Sequence, residues 1–390
     1  MANDVSSDPS PSRFSEFIED YWDLMAGILF GAMAFLFHHF SQPYLATLFA
    51  GIAIAAFSFT VSEIAEILAE RLQEPYASFV LTFSAVAVEI LLLFMILLEG
   101  THGGGDGLET VKGGIISAVI VDMNVLLGIA VFVGGLRFKE QEHNEDTSST
   151  YTTILLVASV MLLVPSLLQY SKGSVDFLPL ASYIIAAFLL FYYVTIFIFQ
   201  TRTHIHFFKA TARSRIFRMR RKRNADEDEE EDENYIFEKI PNIANFFAIF
   251  LLIFIIGVIA EIFASDGMHI AKEFGVSAAL AGLVIAIVSV SPELFTAVKA
   301  AKSDQIQRVV NIAMGASTVS ILLTVPILMV LAPFAGVHLT LDFNSLQIGA
   351  LILTIILAWK TTDNGETNYV EGISHLMFFF AYAVIAAFYH

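Results

Sequence analysis

Eleven apolar stretches of about twenty residues recur along this chain, each long enough to cross a hydrocarbon layer roughly 30 Å thick. Nothing else in the sequence constrains the fold so strongly. Inside a bilayer every backbone N–H and C=O must be paired within the protein, so segments of this length cross as helices. The stretches lie at about 22–40, 43–68, 75–98, 112–136, 151–170, 177–200, 243–264, 276–300, 306–331, 346–359 and 369–388. The tenth is the shortest. The expected fold class is therefore an all-α polytopic membrane protein with about eleven spans. Only 15% of the residues are charged, against about 25% in a soluble domain, which excludes a water-soluble enzyme. The chain has no cysteine, so disulfides and thiolate metal sites are excluded as well.

Orientation follows from the bases. With the N-terminus inside, 18 of the 21 Lys and Arg fall on the inner side, and only Lys112, Lys172 and Lys272 fall outside. An odd number of spans then places the C-terminus outside. The first twenty residues are polar and acidic, so a cleaved signal peptide is not expected. The expected setting is that of a multi-pass protein of a prokaryotic plasma membrane, with the lipid bilayer as its solvent. A nucleic-acid partner is not expected, and a monomer and a homo-oligomer both fit the sequence.

A polar linker, 201–242, divides the chain into 1–42 with one extra span, 43–200 with five, and 243–390 with five. Five is odd, so a second set repeating the first must sit inverted in the bilayer, the arrangement of secondary transporters with a midplane site. A shift of 204 residues aligns Ala77 with Ala281, Val80 with Val284, Val86 with Val290 and Glu89 with Glu293. The linker itself runs basic from Arg213 to Arg223 and then carries eight consecutive acids from Asp226 to Glu233. The basic block fits an anionic lipid surface. The acidic block fits loose calcium sensing without the spacing of an EF-hand.

Two carboxylates stand where charge is costly. Glu89 lies mid-span in the third stretch and Glu293 in the second half of the eighth, and a charge at mid-bilayer costs about 2.5–3.5 kcal/mol on insertion scales. Neither has a base at helical spacing in its own span, so each must hold a proton or a cation. Ser289 and Thr296 flank Glu293 at i−4 and i+3. Pro292 removes a backbone donor and frees a carbonyl near Val288 and Ser289, and such oxygens suit hard cations. In the ninth span, Asn311, Gly315 and Thr318 form a stripe with Ser317 and Ser320 beside it; in the fourth, Ser117, Asn124 and Gly128 share a face. Asp122 and Asn124 point about 200° apart on a helix, so only one can face a given site. Asn124 is assigned to the site and Asp122 is accessory. Glu63, Glu66 and Glu261 lie nearer span ends and read as vestibule acids.

The segment from Ala69-Glu70-Arg71-Leu72-Gln73-Glu74-Pro75-Tyr76 to Val88-Glu89 resembles the calcium/cation antiporter superfamily. So does the segment from Ser291-Pro292-Glu293-Leu294 to Asn311-Ile312-Ala313-Met314-Gly315-Ala316-Ser317. Both are similar to the bacterial ChaA-type cation/proton antiporters, and the likeness covers about ten of the eleven spans. The resemblance implies two inverted five-helix repeats, each carrying an acid that binds cation and proton in turn. It makes Glu89 and Glu293 the metal- and proton-coupling acids, with Asn124, Asn311, Ser317 and Thr318 as neighbouring ligands beside Ser289. The Gly-Asn-x-x-Glu form of the calcium/proton exchangers is replaced by Val-Ala-Val-Glu and Val-Ser-Pro-Glu, which leaves Ca²⁺, Na⁺ and K⁺ all open as cargo, with Ca²⁺ favoured. The expected function is extrusion of a metal cation in exchange for protons by alternating access, with no cofactor and no enzymatic activity. Neither a serine–histidine nor a His-Glu-x-x-His constellation is present. The competing class is a cation channel or a calcium-sensing membrane protein without proton coupling.

Overall fold

A computed structural model describes residues 13–72, 76–103, 107–170, 174–204 and 235–389. The acidic run Asp226–Glu233 and the basic block before it lie outside the described residues. Among the described residues, eleven helices are long and apolar enough to cross a bilayer. They are α1 (Arg13–His39), α2 (Pro43–Arg71), α3 (Tyr76–Gly103), α4 (Gly107–Phe138), α5 (Glu145–Tyr170) and α6 (Val175–Thr203). After the linker come α7 (Asn242–Phe274), α8 (Ala278–Lys302), α9 (Ile306–Ala335), α10 (Ser345–Thr362) and α11 (Tyr369–Phe388).

Several helices outrun their apolar stretches. The seventh stretch ends near residue 264, yet α7 continues past Asp266 and stops only at Gly275, which takes the left-handed conformation (φ 62°) natural to a C-terminal cap. The short tenth stretch is extended at its start by Asn344, whose side chain caps the Gln347 amide while Gln347 caps Asn344 in return. Lys112, near the start of α4, is buried there with Glu109 at 2.9 Å and Asp342 at 2.8 Å. The helix begins five residues before it, and the two carboxylates make its burial tolerable.

Helix α4 is the centre of the molecule; 83% of its most apolar window is buried, against 22% for α1, α6 and α11. It packs along α8 and, through its second half, against α11. The contact with α8 is backbone to backbone. A Cβ added at Gly282 would lie 2.4 Å from the Gly114 amide nitrogen and 2.5 Å from the Gly113 carbonyl carbon. Small residues allow this approach, which is how helices associate where lipid removes the hydrophobic incentive.

On the face where α1 begins, two short strands join the halves. Strands β1 (Glu140–Glu142) and β2 (Glu366–Asn368) pair antiparallel, with Gln141 opposite Thr367. Their pairing puts the α4–α5 and α10–α11 turns on one side, as the span count requires. Gly365 makes the tight turn at φ 73°, and its carbonyl accepts from the His143 amide at 2.8 Å. Burial pushes the His143 imidazole below its ordinary value. An unfolded histidine takes up a proton near pH 6.5, so in that window the unfolded chain binds more protons and stability falls as pH drops. A His143→Gln variant is expected to show a shallower fall of melting temperature on acidification. Identical slopes would remove His143 from the account.

Candidate cation and proton site

Two helix interruptions place the polar groups at the core. Helix α4 widens into a π-helical segment at Val121–Leu126, and α9 does so at Ser320–Thr324. A π segment inserts residues into the turn and re-aims side chains, which is why such segments mark functional positions. Glu89 of α3 takes both its donors from the α9 segment. Its Oε2 accepts from Ser320 Oγ at 2.9 Å and from Thr324 Oγ1 at 3.1 Å. Among the described residues, its Oε1 is buried without a partner.

Asp122, in the α4 segment, is 1% exposed; its Oδ2 accepts from Ser317 Oγ of α9 at 3.1 Å, and its Oδ1 has no partner among the described residues. The segment that carries Asp122 packs against α8, the helix of Glu293. Glu293 of α8 likewise keeps a buried, unpartnered Oε2. Asp122 and Glu89 thus both bind hydroxyls of α9, and Glu293 lies on the helix packed against the Asp122 segment; among the described residues each carboxylate keeps one buried oxygen without a partner. Buried polar atoms are ordinarily paired, so three orphans in one region call for a ligand.

The spacing assigned Asn124 to the site and left Asp122 accessory; in the structure it is Asp122 that shares α9 with Glu89. The two do point apart, but Asn124 turns away from the acids. Its Nδ2 donates to Ile120 O (3.1 Å) and Thr354 Oγ1 (3.0 Å), and its Oδ1 meets His375 Nδ1 (3.0 Å). Helical spacing gave the angle between the two side chains, and packing against α10 and α11 decided which way each faces. The ninth-span stripe is redrawn in the same way. Ser317 and Ser320 reach the acids, whereas Thr318 donates to its own backbone at Met314 O (2.7 Å) and Asn311 accepts from Gln307 (3.0 Å). Thr324 was missed, although the pair Ser320 and Thr324 at i, i+4 in an otherwise apolar run is a legible signal.

Glu293 borders a narrow crevice walled by Ser58 and Ser62 of α2, Ser84 of α3, and Ser289 and Pro292 of α8. Pro292 has no N–H, so the Val288 carbonyl lacks its usual helical donor. Ser62 also lines a cavity of about 420 Å³ that opens on the face where α1 begins. Thr296, Glu63 and Glu66 line this cavity rather than the crevice. Both acids are engaged there, Glu66 by Arg308 Nη2 at 2.7 Å and Glu63 by the Tyr235 hydroxyl at 3.0 Å. Glu261 is exposed on α7 and lines neither cavity. A further buried acid, Asp23 of α1, accepts from Thr60 Oγ1 at 2.5 Å. Among the described residues, no three His, Asp or Glu side chains stand close enough to enclose a metal by themselves. Serine hydroxyls and freed carbonyls must supply further oxygens in any cation complex.

Comparison with known proteins identifies the fold and the family. In sequence the chain is 27% identical over 339 residues to the sodium-potassium/proton antiporter ChaA of Escherichia coli (strain K12), covering 86% of this chain and 87% of that one. It is 26% identical over 308 residues to a Ca²⁺/H⁺ antiporter of Synechocystis sp., covering 78% and 80%. In structure it resembles native YfkE, with a TM-score of 0.74 at 17% identity over 94% of this chain and 99% of that one. It also resembles the H⁺/Ca²⁺ exchanger CAX, with a TM-score of 0.67 at 15% identity over 95% and 93%. At these identities the solved structures establish the fold. Residues 43–202 and 244–388 match the family model described as sodium/calcium exchanger protein, and the chain belongs to that family.

Proposed function

We propose that this protein is a secondary antiporter that extrudes a metal cation in exchange for protons, with Glu89 and Glu293 binding cation and proton in turn. The observation that carries the reading is the set of buried, unpaired carboxylate oxygens on α3, α4 and α8, one of which borders a serine-lined crevice. A carboxylate in such a place is neutralised by a proton or by a metal, and not by both, so the two ligands displace each other. Asp122 is a third member of the site. Ca²⁺ is the favoured cargo, with Na⁺ or K⁺ as alternatives, because anionic and hydroxyl oxygens are ligands for hard cations. Relatives named for each of these ions support the same range.

The halves 43–200 and 243–390 are read as inverted repeats after an extra span within 1–42, separated by the linker 201–242. Helix contacts support this. α2 packs on α7; the α3–α9, α4–α11 and α2–α8 contacts recur as α8–α4, α9–α6 and α7–α3. With the N-terminus cytoplasmic and the C-terminus outside, as the distribution of bases supports, the cavity beside Ser62 opens to the cytoplasm. The conformation is then inward-facing in a plasma membrane. Rocking of α2 and α7 against the helices that carry the acids exposes the site to the other side.

The test is transport in reconstituted vesicles. An imposed pH gradient is expected to drive Ca²⁺ accumulation, and an imposed Ca²⁺ gradient to move protons, with Na⁺ and K⁺ added as competitors to rank the cargo. Ca²⁺ flux that proceeds without proton movement, and that a pH gradient fails to drive uphill, would establish the channel reading instead.

A further inference from the structure

We propose that His375, acting through Asn124, is a positioning residue that turns Asp122 into the exchange site. This rests on Asp122 belonging to the site as proposed above. The two side chains leave the same π-helical segment of α4 on opposite sides. A π segment inserts residues into the turn and re-aims its side chains, and the partners those side chains hold fix where each one points. Asp122 holds little, with a single donor from Ser317 and one orphaned oxygen. Asn124 holds a great deal.

The bonding around Asn124 is fully determined. The Ile120 carbonyl can only accept, so the Asn124 NH2 group, Nδ2, faces it at 3.1 Å and the amide cannot be flipped. Nδ2 also donates to Thr354 Oγ1 of α10 at 3.0 Å. Oδ1 is left toward His375 Nδ1 of α11 at 3.0 Å, and since an amide oxygen only accepts, Nδ1 is the donor. The far ring nitrogen, Nε2, meets Thr361 Oγ1 at 3.0 Å. Asn124, Thr354 and His375 are each 0% exposed and Thr361 is 2% exposed. Beside the network the backbones of α4 and α11 touch, and a Cβ at Gly128 would come within 2.9 Å of His375 Cβ. The frame holding Asn124 therefore has little room to yield.

A polar network of this kind is costly in an apolar interior unless every member is satisfied, and this one is. It reaches neither cavity, so it cannot itself handle cation or proton. What it fixes is the face of α4 that carries Asp122. Groups that orient ligands from behind typically change metal affinity about 10- to 100-fold when removed.

The experiment uses the full chain in detergent and reads the Ca²⁺ dissociation constant by calorimetric titration, alongside melting temperature. His375→Leu is expected to weaken Ca²⁺ binding about tenfold. His375→Asn, which keeps an N–H donor at the same distance from the backbone, is expected to restore binding most of the way. Asp122→Asn is expected to weaken binding at least as much as His375→Leu. A role in packing alone would lower the melting temperature without moving the constant, and that result overturns the proposal. So does His375→Asn binding no better than His375→Leu. If His375→Leu does not fold, Thr354→Val, which removes only the hydroxyl facing Asn124, is read the same way. If Asp122→Asn binds like wild type while Glu293→Gln does not, the placement of Asp122 in the site has failed. If Asp122→Asn weakens binding and the His375 and Thr354 variants do not, the positioning role alone has failed.

Discussion

Replacing either Glu89 or Glu293 by glutamine is expected to leave a folded protein whose cation/proton exchange falls at least a hundredfold. Glutamine is nearly isosteric with glutamate, and at position 89 its amide oxygen still accepts from Ser320 and Thr324, which now hold Oε2 at 2.9 and 3.1 Å. The fold therefore loses little. What is lost is the charge. A unit charge about 4 Å from a cation is worth about 4 kcal/mol at an effective dielectric near 20, and 1.4 kcal/mol is a factor of ten. An amide also cannot release a proton to admit a metal, so the coupling disappears along with the affinity. The measurement is Ca²⁺-driven proton movement in vesicles, with the melting temperature as a control for folding. Exchange at the wild-type rate in both variants would show that these carboxylates are structural.

The second large effect is expected from Gly282. A side chain there meets backbone atoms of Gly113 and Gly114 at 2.4–2.5 Å, and backbone cannot rotate out of the way. The α4 and α8 axes must move apart, and overpacking a well-packed interior costs about 1–3 kcal/mol, occasionally more. Gly282→Ala is expected to lower the melting temperature and Gly282→Leu to prevent folding. Because α4 carries Asp122 and α8 carries Glu293, the alanine variant is also expected to weaken Ca²⁺ binding while both acids remain. Gly349 of α10 supplies the contrast, since a Cβ there meets nothing within 4 Å. Gly349→Ala is expected to be neutral or slightly stabilising, because alanine favours helix by up to about 1 kcal/mol. If Gly282→Ala melts like Gly349→Ala, the helix contact is not as tight as the structure gives it.

The site was legible in part. Glu89 and Glu293 announce themselves because an uncompensated carboxylate deep in an apolar run has few reasons to be there. The same argument applied to Asp122, which lies in the most enclosed of all the spans. Spacing alone made it compete with Asn124, and an amide and a carboxylate looked interchangeable as oxygen donors. The vestibule acids were legible as acids but not as partners. That Glu66 faces Arg308 joins residues 242 positions apart, which no local pattern reveals.

The number of spans, the parity that puts the turns after α4 and α10 on one face, and the two deep glutamates were determined by the sequence alone. Each follows from a one-dimensional rule, since a bilayer fixes the length of a crossing and penalises charge at a known depth. Which oxygens remain unpaired, which face of α4 meets the acids, and where backbone touches backbone at Gly282 were decided only by tertiary structure. Those depend on the rotation and separation of neighbouring helices. In lipid these are set by close packing and interhelical hydrogen bonds between distant residues.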